Sequence, residues 1–371
     1  MRIVLLLLFA FTGSILSTPA GGQSYNLLIG SYTRSVDDDG IYVYDFNSQT
    51  GDFKLKSKTS GELNPSFLDV SRDGKYVFAV NETREGKVSS FLFNPVSGEL
   101  KFVNRVGTGG GPCYVTVDDR NKYVFAGNYG GGSLIAIPLN SDGSLGDNSQ
   151  FIQQETIGAF NGRERTNLHC TVLSPDNKYL LAANLGTDRV SVYKFNSAAS
   201  SDPLTPAESA FASVERGSGP RHIAFHPGSR YVYVIQEMAG DIVAFDFKKG
   251  RLTGKQTVTM LPPGVKGKAG AADIHVSPDG KFLYGTVRGD ANTIVTYSID
   301  RNGMLTHVDT QPTLGDHPRN FAIDPTGNFL LVAHQNTNDV IIFKRDKTTG
   351  KLTPTGKKIE LDRPVCLKFT K

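Results

Sequence analysis

Short runs of hydrophobic, strand-type residues recur along this chain at nearly equal intervals. Each run follows a turn made from Pro, Asp, Asn or Gly, then a basic or polar residue, and an aromatic residue opens the run. The aromatic positions are separated by 47, 56, 52, 51 and 47 residues, and they are Tyr76, Tyr123, Tyr179, Tyr231, Phe282 and Phe329. A period of this length, filled with β-branched and aromatic residues, is typical of propellers and solenoids.

The repeating unit is predicted to be a small β-sheet. Residues 76–80 and 231–235 are rich in β-branched and aromatic residues, which favours strands over helices. A second hairpin follows in several units, as at residues 88–93. Four short strands in about fifty residues make one blade of a propeller.

A short lead-in opens each unit, and the lead-ins give the number of blades. They are Asn64-Pro65-Ser66, Gly111-Pro112-Cys113, Asn167-Leu168-His169, Gly219-Pro220-Arg221, Ala271-Ala272-Asp273, His317-Pro318-Arg319 and Arg363-Pro364-Val365. Only one strand, at residues 366–369, follows the last lead-in, so residues 25–30 and 41–44 must supply its partners. We therefore predict an all-β, seven-bladed β-propeller whose last blade is closed by strands from both termini, which leaves no open end to the ring.

The first 22 residues have the layout of a secretory signal peptide. A basic start at Arg2 is followed by an apolar run at residues 3–11 and by small residues at 17–22. The run is too short for a transmembrane helix. We expect cleavage near Ala20 or Gly22, a single propeller domain over residues 23–371, and a secreted or periplasmic protein with no membrane attachment after cleavage.

Composition excludes several classes of partner and cofactor. The 371 residues carry a net charge of +4 and contain no run of five like charges, so no nucleic-acid-binding arm is predicted. Cys113, Cys170 and Cys366 lack the spacing of metal ligands, and we interpret them as small buried residues near strand starts. No metal site or cofactor is predicted, and we expect a monomer.

Polar and charged residues occupy equivalent places in successive units, in the lead-ins and at the ends of the aromatic strands. A propeller gathers these places around one end of its central channel, so we expect the side chains to form a polar pocket there. The candidates for substrate binding are Glu82, Asn128, His222, Arg319, Asn320 and Gln335.

Several distinctive motifs occur in one order along the chain. They are Ala126-Gly127-Asn128-Tyr129-Gly130-Gly131-Gly132, Gly219-Pro220-Arg221-His222-Ile223-Ala224-Phe225-His226-Pro227, Ile274-His275-Val276-Ser277-Pro278-Asp279-Gly280 and His317-Pro318-Arg319-Asn320-Phe321. In these motifs the chain resembles the seven-bladed lactonase family, which includes the propeller-type 6-phosphogluconolactonases and is similar to fungal carboxy-muconate lactonizing enzymes. The resemblance covers essentially the whole mature chain and implies a metal-independent enzyme.

The resemblance also implies a catalytic set of one His, two Arg and one Glu, which match His169, Arg221, Arg288 and Glu237. Opening a lactone needs a base that deprotonates the attacking water, and His169 or Glu237 can take this role. The developing oxyanion needs positive charge, which Arg221 or Arg288 can supply. A guanidinium also binds two oxygens of a substrate carboxylate or phosphate at once.

Three functions are compatible with these residues. The leading hypothesis is a carboxylic ester hydrolase, similar to 6-phosphogluconolactonase, that acts on a small anionic sugar lactone. The alternatives are a lactonizing cycloisomerase of the muconate type and a non-catalytic propeller that binds a protein or a glycan. The convergence of His, Arg and Glu favours an enzyme, because a scaffold does not need this set.

Overall fold

The fold is a ring of seven β-sheets, each with four antiparallel strands, in a computed structural model that describes residues 23–147, 150–156, 166–261 and 269–371. The predicted signal peptide, residues 1–22, lies outside the described residues. The described part contains no helix long and apolar enough to cross a membrane. The prediction of an all-β propeller with seven blades is confirmed.

The strands of the described residues follow one another in regular groups. In chain order they are β1 (Ser24–Ser31), β2 (Ile41–Asn47), β3 (Phe53–Thr59), β4 (Leu68–Val70), β5 (Tyr76–Asn81), β6 (Lys87–Phe93), β7 (Leu100–Gly107), β8 (Pro112–Val117), β9 (Tyr123–Asn128), β10 (Ser133–Pro138), β11 (Gln150–Gln153), β12 (Leu168–Leu173), β13 (Tyr179–Asn184), β14 (Arg189–Phe195), β15 (Leu204–Ser213), β16 (Pro220–Phe225), β17 (Tyr231–Gln236), β18 (Asp241–Lys248), β19 (Arg251–Thr259), β20 (Ala271–Val276), β21 (Phe282–Val287), β22 (Thr293–Ile299), β23 (Leu305–Pro312), β24 (Pro318–Ile323), β25 (Phe329–His334), β26 (Asp339–Arg345), β27 (Leu352–Glu360) and β28 (Pro364–Thr370).

Six blades are built from four consecutive strands, and the seventh joins the two ends of the chain. In this closing blade the order is β28-β1-β2-β3, so the C-terminal strand is innermost and the N-terminal strands lie outside it. Leu27 pairs with Phe369, and Ile29 pairs with Leu367. The predicted partnership between the two termini is therefore confirmed.

The turn before each periodic aromatic residue is stabilised by hydrogen bonds of its own side chains. The Ser277 hydroxyl donates to a carboxylate oxygen of Asp279 at 2.5 Å and accepts from the backbone N–H of Phe282 at 3.0 Å. The same bonds form around Ser71 and Ser174. The hydroxyl and carboxylate satisfy backbone donors that the tight turn leaves unpaired, which explains why Ser and Asp recur there.

The aromatic residue that opens each second strand packs against the next blade. The ring of Tyr231 covers Gly303, where an added Cβ would lie 2.4 Å from the ring. The ring of Phe329 covers Gly51 of the closing blade, where the same distance would be 2.8 Å. Both glycines have positive φ angles, 76° and 71°, which a residue with a side chain adopts at a cost. The periodic aromatic is therefore a contact between blades.

The hydrophobic core lies between neighbouring blades. Ile235 and Ile242 of one blade form a cluster with Ile274 and Leu283 of the next, and all four are fully or almost fully buried. Burial of such side chains supplies most of the stabilisation of the ring. The innermost strands of adjacent blades contact each other around the axis, where they can present polar groups.

The three cysteines lie in innermost strands, where Cys113, Cys170 and Cys366 are buried and unpaired. Burial raises the pKa of the Cys170 thiol to about 12. The prediction that these cysteines are small buried residues is confirmed.

Candidate active site

Irregular pairing at the start of the innermost strands turns several predicted site residues out of the regular ladder. The pairing of β12 with β13 skips His169. The pairing of β16 with β17 skips Arg221 and His222, and that of β24 with β25 skips Arg319. An unpaired residue at a bulge is free of the strict alternation of a strand, so its side chain can be aimed elsewhere. These shifts are how the fold brings the four side chains to one end of the channel.

Glu237 and two arginines form the charged centre of this end. The Glu237 Oε2 atom lies 2.8 Å from Arg221 Nε and 3.1 Å from an Arg288 terminal nitrogen. The Arg221 and Arg288 side chains are 2% and 9% exposed, whereas that of Glu237 is 21% exposed. Burial raises the pKa of Glu237, but the two guanidinium charges outweigh it, so the pKa lies below its usual value. The carboxylate is thus ionised at neutral pH and reaches toward solvent.

His169 lies beside this centre and is uncharged at neutral pH. Its ring centroid is 5.1 Å from that of His222 and 5.5 Å from that of Tyr129. Burial, followed by the charge of Arg221, holds the pKa of His169 well below its usual range. Its Nδ1 atom has no hydrogen-bond partner among the described residues. The structure therefore places a neutral, incompletely satisfied imidazole next to the two arginines.

Arg319 contributes a third guanidinium from β24. Its guanidinium carbon lies 5.4 Å from the centroid of the Tyr32 ring. The Tyr32 hydroxyl donates to Glu82 Oε2 at 2.8 Å, and the Ser66 hydroxyl donates to the same atom at 2.5 Å. Within the described part of the chain Arg319 has no carboxylate within 4 Å. Burial lowers the pKa of Arg319, but Tyr32 and the Glu82 carboxylate outweigh it, so the guanidinium stays charged.

Two predicted binding residues also connect strands of the framework. Asn128 is fully buried, and its amide donates to the Thr108 carbonyl at 2.6 Å and to the Ser133 hydroxyl at 2.9 Å. Asn320 is 3% exposed, and its carbonyl accepts the backbone N–H of Leu367 in β28 at 2.7 Å. These contacts tie strand ends together and use the amide nitrogen of Asn128, whereas its side-chain oxygen has no hydrogen-bond partner among the described residues.

Gln335 is half-buried beside the lead-in of its own blade. Its backbone N–H donates to the carbonyl of His317 at 3.1 Å. Its side-chain oxygen has no hydrogen-bond partner among the described residues. The structure thus leaves Gln335 with an acceptor to offer.

Sequence reasoning missed Asp273, the most highly hydrogen-bonded carboxylate near the site. Its carboxylate accepts from His222 Nδ1 at 2.7 Å and from Asn320 Nδ2 at 2.5 Å, and it is 2% exposed. In the strand pairing Ala271 is equivalent to Pro220 and Pro318, so Asp273 occupies the position of His222 and Asn320 in the neighbouring blades. Comparing that position across the repeats would have marked Asp273 as a candidate.

Two aromatic rings pack against His222. The rings of Phe67 and Tyr114 are stacked with centroids 3.9 Å apart, and both meet the His222 ring edge-on, at 6.0 and 5.3 Å. Among the described residues no group of three or more His, Cys, Asp or Glu could hold a metal ion. The arrangement therefore combines guanidinium groups, an ionised carboxylate and neutral imidazoles beside an aromatic cluster, and it can bind an anion and exchange a proton.

Comparison with known proteins gives the same family in sequence and in structure. Residues 26–369 match the family model described as a lactonase with a 7-bladed beta-propeller. The chain is similar to the 6-phosphogluconolactonase of Formosa agariphila, with 36% identity over 333 residues that cover 88% of this chain and 94% of that protein. It is also similar to the 6-phosphogluconolactonase of Bacillus subtilis, with 30% identity over 92% of this chain and 97% of that protein. The solved structure of the periplasmic gluconolactonase of Pseudomonas aeruginosa superposes with a TM-score of 0.89 and 34% identity, covering 94% of this chain and 99% of that one.

Proposed function

Because this chain belongs to the seven-bladed β-propeller lactonase family, we propose that it is a carboxylic ester hydrolase that opens the ring of a sugar lactone. The observation that carries the proposal is the ionised Glu237 carboxylate held between two buried guanidinium groups at the end of the channel. Similarity to proteins named 6-phosphogluconolactonase supports an aldonolactone as the substrate class.

In the proposed mechanism Glu237 is the base. Both arginines contact its Oε2 atom, which leaves Oε1 to accept a proton from a water that attacks the lactone carbonyl. Protonation of Glu237 removes the counter-charge of Arg221 and Arg288 as negative charge develops on the carbonyl oxygen. Their positive charge then stabilises that oxyanion. The intermediate collapses by breaking the bond to the ring oxygen, which takes the proton from Glu237 and becomes a hydroxyl group.

His169 acts in this proposal as an uncharged hydrogen-bonding group. A neutral imidazole can donate to the ring oxygen or the carbonyl oxygen of the lactone without adding to the charge of the three arginines. Its low pKa and its unsatisfied Nδ1 atom support this assignment. The imidazole also fills the space between Tyr129 and His222.

Arg319 is the proposed contact for an anionic group on the substrate. Its guanidinium has no carboxylate partner within the described residues, whereas Arg221 and Arg288 share Glu237. A guanidinium matches the paired oxygens of a phosphate or carboxylate. Gln335, with its free acceptor, and Glu82 are proposed to accept hydrogen bonds from sugar hydroxyl groups.

The proposed setting of the reaction is outside the cytoplasm. The signal-peptide pattern of residues 1–22 supports export of a propeller domain that spans residues 23–371. The similar protein of Pseudomonas aeruginosa is described as periplasmic. A monomer, with one channel and one site, is sufficient for the proposed reaction.

Hydrolysis of a small panel of lactones by the purified protein tests the proposal. The panel contains glucono-1,5-lactone, its 6-phosphate and muconolactone, and the spontaneous rate is subtracted. We expect turnover of an aldonolactone, with a lower KM for the phosphorylated form, and loss of most turnover in Arg221→Ala and Glu237→Ala variants that remain folded. Normal turnover by both variants would refute the site. Turnover of muconolactone alone would favour the cycloisomerase, and no turnover of any lactone would favour a binding protein.

A further inference from the structure

A single buried carboxylate connects three innermost strands beneath the site. The Asp273 carboxylate in β20 accepts a hydrogen bond from the His222 ring in β16. It also accepts hydrogen bonds from the Asn320 side-chain amide and the Phe321 backbone N–H in β24. It also accepts the ring nitrogen of His275 at 3.0 Å. With so many donors around it, Asp273 is held as an acceptor, and its pKa stays well below the usual range although burial opposes this.

This carboxylate determines which nitrogen of His222 carries a proton. Because an ionised carboxylate can only accept, the Nδ1 atom of His222, 2.7 Å away, must be the protonated one. The Nε2 atom is then an acceptor, and it lies 3.2 Å from an Arg221 terminal nitrogen, which can only donate. Burial, followed by the charge of Arg221, lowers the pKa of His222 to about 4, which keeps the ring neutral.

The chain of contacts ends at the proposed base. The same Arg221 nitrogen that donates to His222 also donates to the Ala272 carbonyl at 2.5 Å, and Arg221 Nε lies 2.8 Å from Glu237. Arg288 is held differently, because its Nε donates to the Gly270 carbonyl at 2.8 Å. Apart from Glu237, Arg221 is therefore held by a backbone carbonyl and a side-chain acceptor together, whereas Arg288 is held by backbone carbonyls only.

The groups that face His222 leave its ring little freedom. On its own strand it meets Arg221, and on β20 it meets Asp273, which also holds His275. The His169 ring lies 5.1 Å away, and the Phe67 and Tyr114 rings press against it edge-on. A ring enclosed in this way keeps its orientation, so the two nitrogens keep their partners.

We propose that Asp273 and His222 are positioning residues that hold the Arg221 guanidinium against Glu237 through an ordered acceptor at His222 Nε2. The inference rests on the proposed function, because it assigns a purpose to the placement of Arg221 in lactone opening. Neither residue touches the reacting atoms. Each acts through Arg221, in the way that an Asp–His pair orients a catalytic group elsewhere.

Two substitutions at one position separate positioning from structural support. In His222→Asn the amide nitrogen takes the place of Nδ1, so the bond to Asp273 is kept and the acceptor for Arg221 is lost. In His222→Gln the amide oxygen takes the place of Nε2, so the acceptor is kept and the bond to Asp273 is lost. His307→Asn, at an exposed position on β23, is the matched control.

The measurements are kcat and KM on the best lactone of the panel, together with the melting temperature of each variant. We expect His222→Asn to lower kcat at least tenfold, with a fall in melting temperature no larger than that of His222→Gln. We expect His222→Gln to keep kcat within about threefold with a lower melting temperature, and the control to change neither. A purely structural role predicts that activity follows stability, so full activity of His222→Asn would overturn the proposal.

A spectroscopic measurement keeps the proposal separate from the proposed function. In protein labelled with ¹⁵N at its 7 histidines, His222 should show a protonated Nδ1 and an unprotonated Nε2 between pH 5.5 and 8, with the signal assigned by its loss in His222→Gln. A protonated Nε2 would overturn the positioning proposal even if the enzyme is active. If the unaltered protein opens no lactone, the proposed function fails while this measurement still decides the arrangement of His222.

Discussion

Replacing Glu237 by Gln removes one charge from the centre of the site and leaves the shape of the side chain almost unchanged. Arg221 and Arg288 then share a buried location without a counter-ion, and removing one partner of a buried ion pair costs about 3–5 kcal/mol. Glu237 is 21% exposed and the new amide oxygen can still accept one hydrogen bond, so we expect a loss of about 3 kcal/mol, at the low end of that range. With an entropy of unfolding of about 0.7 kcal/mol/K for a domain of about 350 residues, the melting temperature should fall by about 4 °C.

The expected loss depends on pH with a definite sign. The two arginines lower the pKa of Glu237, so its contribution to stability is fully present above the unfolded-state pKa of about 4.3 and is lost as the pH falls through the lower pKa of the folded state. The difference in melting temperature between Glu237→Gln and the unaltered protein should therefore be largest near neutral pH and shrink in acid. Calorimetry at a series of pH values measures this difference.

The matched control is the ion pair between Asp279 and Arg345 at the opposite ends of the strands. The Asp279 and Arg345 side chains are 27% and 0% exposed, and their atoms approach to 3.0 Å, which is close to the geometry at Glu237. Asp279→Asn should lower the melting temperature by a similar amount with kcat unchanged, whereas Glu237→Gln should lower kcat on the order of 100-fold or more. Equal effects of the two variants on kcat would refute the assignment of Glu237 as the base.

Three further results are expected. Because burial and nearby charges hold the pKa of His169 far below neutrality, kcat/KM corrected for spontaneous hydrolysis should be flat from about pH 5.5 to 8, and an inflection near the ordinary histidine pKa of about 6.5 would contradict this. Arg319→Gln should raise KM for a phosphorylated lactone at least tenfold with kcat nearly unchanged, while Arg319→Lys retains part of the affinity. A fall in kcat with KM unchanged would exclude a contact between Arg319 and the substrate anion. Gly303→Ala should lower the free energy of unfolding by more than about 2 kcal/mol, because its Cβ would overlap the Tyr231 side chain. Gly356 has a similar φ but open space around it, so Gly356→Ala should cost about 1 kcal/mol in chemical denaturation. Equal costs would show that the contact between blades is unimportant.

The architecture could be predicted from sequence because each blade carries its own local signals. In the turn before each aromatic strand, Ser, Asp and the aromatic residue form hydrogen bonds with one another over a few positions. The spacing of these residues therefore predicts the turn directly. The strand predicted at residues 366–369 lacked neighbours in its own part of the chain, and only the N-terminal strands could complete it. The confirmed pairing of Ile29 with Leu367 follows from that count.

The details of the site depend on contacts between blades, which local patterns do not report. His169 and Arg221 have no partner in the strand pairing, so their side chains do not follow the inward and outward alternation of their strands. Nothing in a six-residue sequence shows where such a shift in pairing occurs. Asn128 and Arg319 were both predicted as binding residues, and no sequence pattern shows that the Asn128 amide nitrogen also donates to Thr108 and Ser133. Asp273 was missed because its partners are supplied by the two neighbouring blades.

The pairing of the first and last strands also sets an order in which this protein can be completed. Until residues 364–370 have left the ribosome, strand β1 has no inner partner, and the contact between Phe329 and Gly51 has no closed ring to stabilise. The earlier blades can form their local hairpins, but the global fold must wait for the end of the chain. A loss of the last strand should therefore trap the protein as an open, aggregation-prone ring, even though every site residue would still be present in its sequence.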